Sequence, residues 1–366
     1  MRVRLRPALF IGLVFSLFLV LLYNFRNHSL VRAWTSRLLY QDPQTYAYTS
    51  AIDLSIETNS SLANPSLSNR TVILVIARRE SENVDWIHQD LPWLKTAIYT
   101  VDDPNAPLKP PKNKGREAMV YLTFILDNYD SLPDTSIFIH SHASTWHNAN
   151  LLGWDTSPMI ERLSHYRVDR EGYVNLRCEW FPGCPHRQHL SNPSNYSEGE
   201  GAFFEQTWKE LHPMDPMPQF LAQPCCAQFA ASRQQIRKVP FERWMHYRDW
   251  LLNTTIDDWV AGLIFEYSWQ YIFTGESSLC VDPHACYCDG YGVCFGSREK
   301  FQEFMEGEER KKNLEDELNK LRDAGGEDAD LESRMQAAQD AQRKELEEAM
   351  RRGEDFENRK AEMGYT

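Results

Sequence analysis

The spacing of apolar and polar positions divides the middle of the chain into alternating strand-like and helix-like runs. TVILVIARR, Thr71 to Arg79, is a continuous β-branched run that suits a strand buried on both faces. Val84 to Leu94 predicts a helix, and Lys95 to Asp103 a second short strand ending in two acids. After the proline-rich loop PNAPLKPPKNKG, the apolar residues of REAMVYLTFILDNY recur at helical spacing, at Met119, Tyr121, Leu122, Ile125, Leu126 and Tyr129. Leu132-Pro133-Asp134 stops that helix, and a third strand runs to His140. The order β-α-β-α-β predicts an α/β fold, with a mostly parallel central sheet flanked by helices and ligands at the carboxyl ends of its strands. Further on, CCAQFAASRQQI (Cys225 to Ile236) predicts a strand turning into a helix, and DDWVAGLIFEYSWQYIF (Asp257 to Phe273) a mostly apolar helix.

From Ser297 onward the pattern is different. This tail, residues 297–366, has 21 acidic residues against 14 basic ones, and so carries 7 of the 13 net negative charges of the 366-residue chain. Two helix-forming stretches flank Gly325-Gly326, with too few regular apolar positions for a coiled coil. The expectation is a charged helical or disordered appendage that buries little surface against the body, with a protein partner as its alternative role. Deleting it should then leave the melting temperature unchanged.

The N-terminus points to a compartment. Arg2, Arg4 and Arg6 precede an apolar run from Ala8 to Tyr23 with no small-residue cleavage site after it. That reads as a signal anchor with its basic end cytosolic, in the single-pass type II orientation of the endoplasmic reticulum or Golgi membrane. Residues 24–70, rich in Ser, Thr and Asn, read as a stem, and residues 71–296 as the luminal domain. All eight cysteines fall in that domain, at Cys178, Cys184, Cys225, Cys226, Cys280, Cys286, Cys288 and Cys294. An even count in an exported body points to disulfides, with zinc as the competing chemistry. Asn27, Asn59, Asn69, Asn195 and Asn253 head glycosylation sequons. The acidic balance argues against a nucleic-acid partner.

The densest chemistry lies in SIFIHSHASTWHN, Ser136 to Asn148. His140 and His142, two apart at a strand end, project to the same side, and His147 follows closely; a metal ion or a phosphate would meet them together. Lys114 and Arg116 open the helix after the proline-rich loop, where backbone N–H groups favour an anion, and Arg78 ends the first strand.

VIARRESENVDWI, NKGREAMVYLTFILDNYDSLPD, IFIHSHASTWHN, YVNLRCEWFPGCP, CCAQFAASRQQI and EYSWQYIF, taken in order, resemble the segments of a fungal family catalogued as domain of unknown function 3431, over about Val72 to Phe273. The layout is also similar to type A glycosyltransferases, in which a nucleotide-sugar-binding α/β sheet precedes an acceptor region. That resemblance implies a divalent metal, Mn above all, bridging the diphosphate of a nucleotide-sugar donor. His140-Ser141-His142 stands where that fold has an acidic D-x-D or D-x-H motif, and it lacks the acid. Asp102 would serve the nucleotide or the metal, Arg78, Lys114 and Arg116 the diphosphate, and Glu266 or Asp103 the chemistry, Glu266 as general base toward a sugar hydroxyl. The acceptor would be a glycan or glycoprotein. Two other functions stay open: a metal-dependent hydrolase built on His140, His142, His147 and Asp155, and a non-catalytic glycan binder.

Overall fold

The computed structural model describes residues 70–185, 188–189 and 200–365. The apolar run Ala8 to Tyr23, the stem up to residue 69, and Asn27, Asn59, Asn69 and Asn195 lie outside them. No helix among the described residues is long and apolar enough to cross a membrane. Asn253 is described: it is exposed on the last turn of a helix, and its Nδ2 donates to the Asp249 carbonyl at 2.7 Å.

Strand β1 (Val72–Arg78) leads through helix α1 (Asp85–Asp90) to β2 (Lys95–Thr100), then through α2 (Ala118–Asp127) to β3 (Thr135–His140). Helices α3 (Thr156–Arg162) and α4 (His165–Glu171) carry the chain back to β4 (Tyr173–Asn175). Past β5 (Gln188–His189), α5 (Glu200–Leu211) and β6 (Phe220–Leu221), strand β7 (Phe229–Ser232) runs directly into α6 (Arg233–Lys238). Then come α7 (Phe241–Asn253), α8 (Asp258–Thr274) and α9 (Pro283–Tyr291).

The five-stranded sheet has the order β2-β1-β3-β7-β4. It is mixed, where the sequence predicted a mostly parallel one: β1 pairs in parallel with β2 and β3, but β7 is antiparallel to both β3 and β4. A parallel neighbour needs a crossover that returns the chain to the starting edge. Helices α2 and α3–α4 provide such returns. The chain from β4 to β7 reaches the sheet without one, so β7 enters from the carboxyl edge and runs backward between β3 and β4.

Strand alternation sends Ile73, Val75 and Phe138 to one face, under α2, α7 and α8, and Val72, Leu74, Ile76, Ile137 and Ile139 to the other, under α1, α3, α4 and α9. Each face is covered, which is why β1 needs its unbroken apolar sequence.

The tail is helical, as predicted, but it is not an appendage. Helices α10 (Arg298–Asp323) and α11 (Ala329–Arg352) form a hairpin, and α12 (Phe356–Met363) follows. Phe301, Phe304 and Ala349 belong to the second core cluster, beside Tyr287, Val293 and Phe295. The apolar positions were too sparse to read as a seam, yet they gather at the first turns of α10 and the last turns of α11, where the hairpin meets the body. The charged middle is solvated.

All eight cysteines are paired, as Cys178–Cys286, Cys184–Cys280, Cys225–Cys226 and Cys288–Cys294. The zinc alternative for Cys286-x-Cys288 therefore falls, since those two sulfurs belong to different bridges.

Candidate functional site

The carboxyl ends of β1 and β3 lie side by side, and the loop after β3 is fixed by buried polar side chains. The backbone N–H of His140 donates to Gln228 Oε1 at 3.0 Å, and Gln228 Nε2 donates to Asn148 Oδ1 at 2.8 Å. Asn148 Nδ2 in turn donates to the Trp154 carbonyl at 2.7 Å and to Thr156 Oγ1 at 2.9 Å, while Thr156 Oγ1 donates to the His142 carbonyl at 2.7 Å. Each link satisfies a group that would otherwise be buried at a cost of about 1–3 kcal/mol, so the network holds one loop geometry.

That loop folds His147 back onto the strand end. Its Nδ1 lies 3.1 Å from Nδ1 of His140, with the rings nearly perpendicular. Burial pushes His140 down to about 4, with His142 and Arg116 adding repulsion, and pushes His147 down to about 3, with His140 and Arg177 adding to it. Both imidazoles are neutral at pH 7 and keep lone pairs for a proton or an ion. His140 also lies in hydrogen-bonding reach of the Cys226 backbone, which pulls its value back up slightly.

Arg116 comes in from the other side. On α8, Trp259, Gly262 and Glu266 stand at i, i+3 and i+7 on one face and grip this arginine. A Cβ at Gly262 would come within 2.9 Å of Arg116 Cγ and Cδ, so glycine there makes room for the stem. The guanidinium sits 5.2 Å from the Trp259 ring centroid, and Nη1 lies 3.7 Å from Glu266 Oε2. Glu266 Oε1 accepts the backbone N–H of Cys226 at 3.1 Å.

Backbone strain gathers at the same place. Arg116 (φ 54), Cys226 (φ 91) and Ala227 (φ 51) occupy the left-handed region without being glycine. Such conformations cost about 1–3 kcal/mol each and cluster at functional sites. The 225–226 bridge, Glu266 and Gln228 hold the strained segment between β3 and α8.

The structure thus brings together His140, His147, Arg116 and Glu266 from four separate segments. It treats the other predicted residues differently. His142 is exposed beyond the strand end. Lys114 is buried with Nζ on the Thr254 carbonyl, and Asp258 Oδ1 accepts the Gly115 N–H at 2.6 Å; this staples the loop before α2 to the start of α8 and leaves the anion role to Arg116. Arg78 spans the ends of β1 and β2, donating to Thr100 Oγ1 at 3.1 Å and to the Glu82 carbonyl at 3.2 Å. Asp102 and Asp103 cap backbone N–H groups of Glu80 and Asn105 beyond β2, with β1 between them and β3.

Two nitrogens 3.1 Å apart can both lie ~2.0–2.1 Å from one divalent ion. Among the described residues, the three-member set of His, Cys, Asp and Glu ligand atoms within 4.8 Å of one another is Cys288, Cys294 and Glu362, where the two sulfurs are already joined. His142 and Asp155 therefore do not complete a three-ligand centre with the imidazole pair. The pair fits an ion whose remaining positions are filled by water or by ligand oxygens.

The sequence pattern gave no role to Glu82 and only a helix-dipole role to Glu117. Glu82 Oε2 accepts from Ser141 Oγ at 2.9 Å and from the Arg79 N–H at 2.8 Å, locking the residue between the two histidines to the end of β1. Its position just past β1 was the available signal, because adjacent parallel strands place their following loops together. Burial pushes Glu117 up to about 7 against the pull of Arg116; in the sequence it looked like a first-turn acid complementing the helix dipole.

The neutral histidines make stability fall on acidification. Burial also holds His165 at about 4, with Arg70 adding repulsion, and His212 at about 3, with Arg243 adding to it. Folded-state values below the unfolded 6.5 mean that the unfolded chain takes up these protons first. Their stabilisation is complete above about pH 6.5 and is lost as the pH falls toward 4. Glu117 works in the opposite direction between 4.5 and 7, one group against four. Urea midpoints are expected to drop by the equivalent of at least about 2 kcal/mol between pH 6.5 and 5, at 1.36 kcal/mol per unit for each group. A flat profile over that range would mean that these imidazoles are hydrated.

A three-layer α/β domain with a polar cluster at the carboxyl edge of a mixed sheet is the class of protein that fold and site define. The family described as "Protein of unknown function (DUF3431)" matches residues 74–289, and the chain belongs to that family. No curated protein and no solved structure matches the chain.

Proposed function

We propose that this protein is a membrane-anchored, luminal glycosyltransferase-like enzyme that transfers a sugar from a nucleotide-sugar donor to a glycan or glycoprotein acceptor. The observation that carries the proposal is the His140–His147 pair, two neutral imidazoles 3.1 Å apart at the end of the central strand, within reach of the charge of Arg116, which Glu266 pairs. In this arrangement His140 and His147 would hold a divalent ion, Mn by preference for nitrogen ligands over Mg. When bound, the ion supplies charge neutralisation for a diphosphate leaving group. Arg116, pinned by Trp259, Gly262 and Glu266, offers a guanidinium for the diphosphate oxygens. Glu266, held by the Cys226 N–H, is placed to take the proton of an acceptor hydroxyl. The four disulfides support a body matured in an oxidising compartment. The hydrolase alternative has less support, since neither His142 nor Asp155 brings a ligand atom within 4.8 Å of both imidazoles.

The test is a melting screen of the full chain with uridine or guanosine diphosphate and Mn. Saturation at a hundred times Kd adds about 2.7 kcal/mol, or roughly 5–10 °C. Wild type should show that shift only when nucleotide and metal are both present. His147→Ala should abolish it while the unliganded melting temperature stays within a few degrees. No shift in wild type with either nucleotide, or an equal shift in His147→Ala, sinks the proposal.

A further inference from the structure

Large aromatic side chains at a protein surface expose apolar area to water, and here two of them stand on either side of the polar cluster. Trp146 is 55% exposed and Trp259 is 42% exposed. Neither ring is loose. Trp146 packs edge-on against His147, centroids 4.4 Å apart, with the Arg177 guanidinium 5.3 Å from its ring. Arg177 is held in turn by the carbonyls of Trp146, Asn148 and Phe181. Trp259 is steadied by the Arg116 guanidinium and projects from the first turn of α8. Trp146, His147 and His140 are in ring contact one after the other, and Arg116, close enough for its charge to act on both histidines, carries Trp259.

We infer that Trp146 and Trp259 are the walls of a pyranose-binding subsite, and that this site takes a carbohydrate chain as its substrate. A pyranose presents an apolar face of C–H groups and an edge of hydroxyls. It therefore needs a preoriented aromatic plane together with charged hydrogen-bonding groups at the margin. The two tryptophans supply the planes, and Arg116, Arg177 and Glu266 supply the margin. A nucleobase is the other flat ligand that stacks on tryptophan, but it fits Trp146 less well. That ring touches the imidazole assigned to the diphosphate, and in a nucleotide the ribose separates base from phosphate. A sugar lies directly beside the phosphate. The inference rests on the proposed function only for that assignment; an aromatic-walled glycan site would serve a hydrolase or a non-catalytic binder equally.

The experiment is calorimetric titration of the full chain, without metal or nucleotide, using mannotriose, chitotriose and laminaritriose as probes, and uridine as the control for base stacking. At least one trisaccharide should bind saturably. Trp146→Ala and Trp259→Ala should each weaken it tenfold or more, and Trp146→Phe and Trp259→Phe should retain most of the affinity, which separates lost stacking from a disturbed loop. Absence of binding by all three trisaccharides overturns the inference, as does unchanged affinity in the alanine variants. So does a loss in the phenylalanine variants equal to that in the alanine ones, or an effect of the substitutions on uridine alone. Trisaccharide binding without the Mn-dependent nucleotide shift would retire the transferase proposal and leave this subsite standing.

Discussion

Deletion of residues 297–366 is expected to lower the melting temperature by more than 10 °C or to leave a body that does not fold. Phe301 and Phe304 contribute about 2–3 kcal/mol each by burial in the second core cluster. Helix α12 adds a contact of a different kind. The Glu362 side chain is fully buried, with Oε1 2.7 Å from His284 Nε2 and Oε2 accepting the Gly296 N–H at 2.7 Å. Although desolvation opposes it, bonding to His284 and Gly296 holds this carboxyl below its usual range. Removing it leaves His284 and the Gly296 N–H without their hydrogen-bond partner, at a cost of about 1–3 kcal/mol. Together these losses approach the whole stability of an ordinary domain, about 5–15 kcal/mol.

Two smaller changes check the cause. Glu362→Ala should recover part of the truncation's effect. Gly353→Ala should also destabilise, because a Cβ there would strike the Gly292 carbonyl across the tail–body contact. A truncated body melting within two degrees of the full chain would show that the docked tail contributes nothing. The family match ends at residue 289, so the dependence concerns helices beyond the shared domain.

Removing the Cys178–Cys286 bridge by a double alanine substitution is the second large effect expected. The bridge closes 108 residues, and the loop-entropy account assigns about 5 kcal/mol to a closure of that size, against about 2 kcal/mol for the six-residue loop of Cys288–Cys294. Cys184–Cys280 is nested inside the larger loop and closes 96 residues of the same chain. While one of the two remains, the other closes only the short segments between them, about a dozen residues worth about 3 kcal/mol, so the full loss of about 5 kcal/mol more appears only when both are removed and the double loss should exceed twice the single one. Chemical denaturation of the three double variants should therefore place Cys178/Cys286 and Cys184/Cys280 together, with Cys288/Cys294 the least costly. A loss for Cys288/Cys294 exceeding that of either nested bridge would contradict the loop-length argument, and free thiols in the native protein would contradict the pairing itself. The bridges join the segment after β4, which carries Arg177, to α9 and the loop before it. Reduction should therefore also loosen the loop under Trp146.

Most of the elements could be read from local pattern. β1, β2, β3, α2, α8 and the β7–α6 turn all fall within a few residues of where the apolar spacing puts them. The interleaving of β7 could not be read, because strand direction depends on the edge at which a connection enters, and a four-residue strand carries no mark of that. At the site, His140, His147, Arg116 and Glu266 were visible as chemically apt residues. Lys114, Asp102 and Asp103 looked equally apt, and only their neighbours, Thr254, Glu80 and Asn105, show that they hold turns and loops.

Taken alone, the sequence determined the layered α/β class, the family, the even cysteine set and the histidine-bearing strand end. Each is encoded within a short window, in a periodicity, a motif order or a count. Tertiary structure decided the antiparallel insertion of β7, the docking of the charged tail, the cysteine partners and the meeting of His147 with His140 under Arg116. Those outcomes depend on residues 7 to 150 positions apart competing for the same space and hydrogen-bonding partners, and no local pattern records which of them prevails.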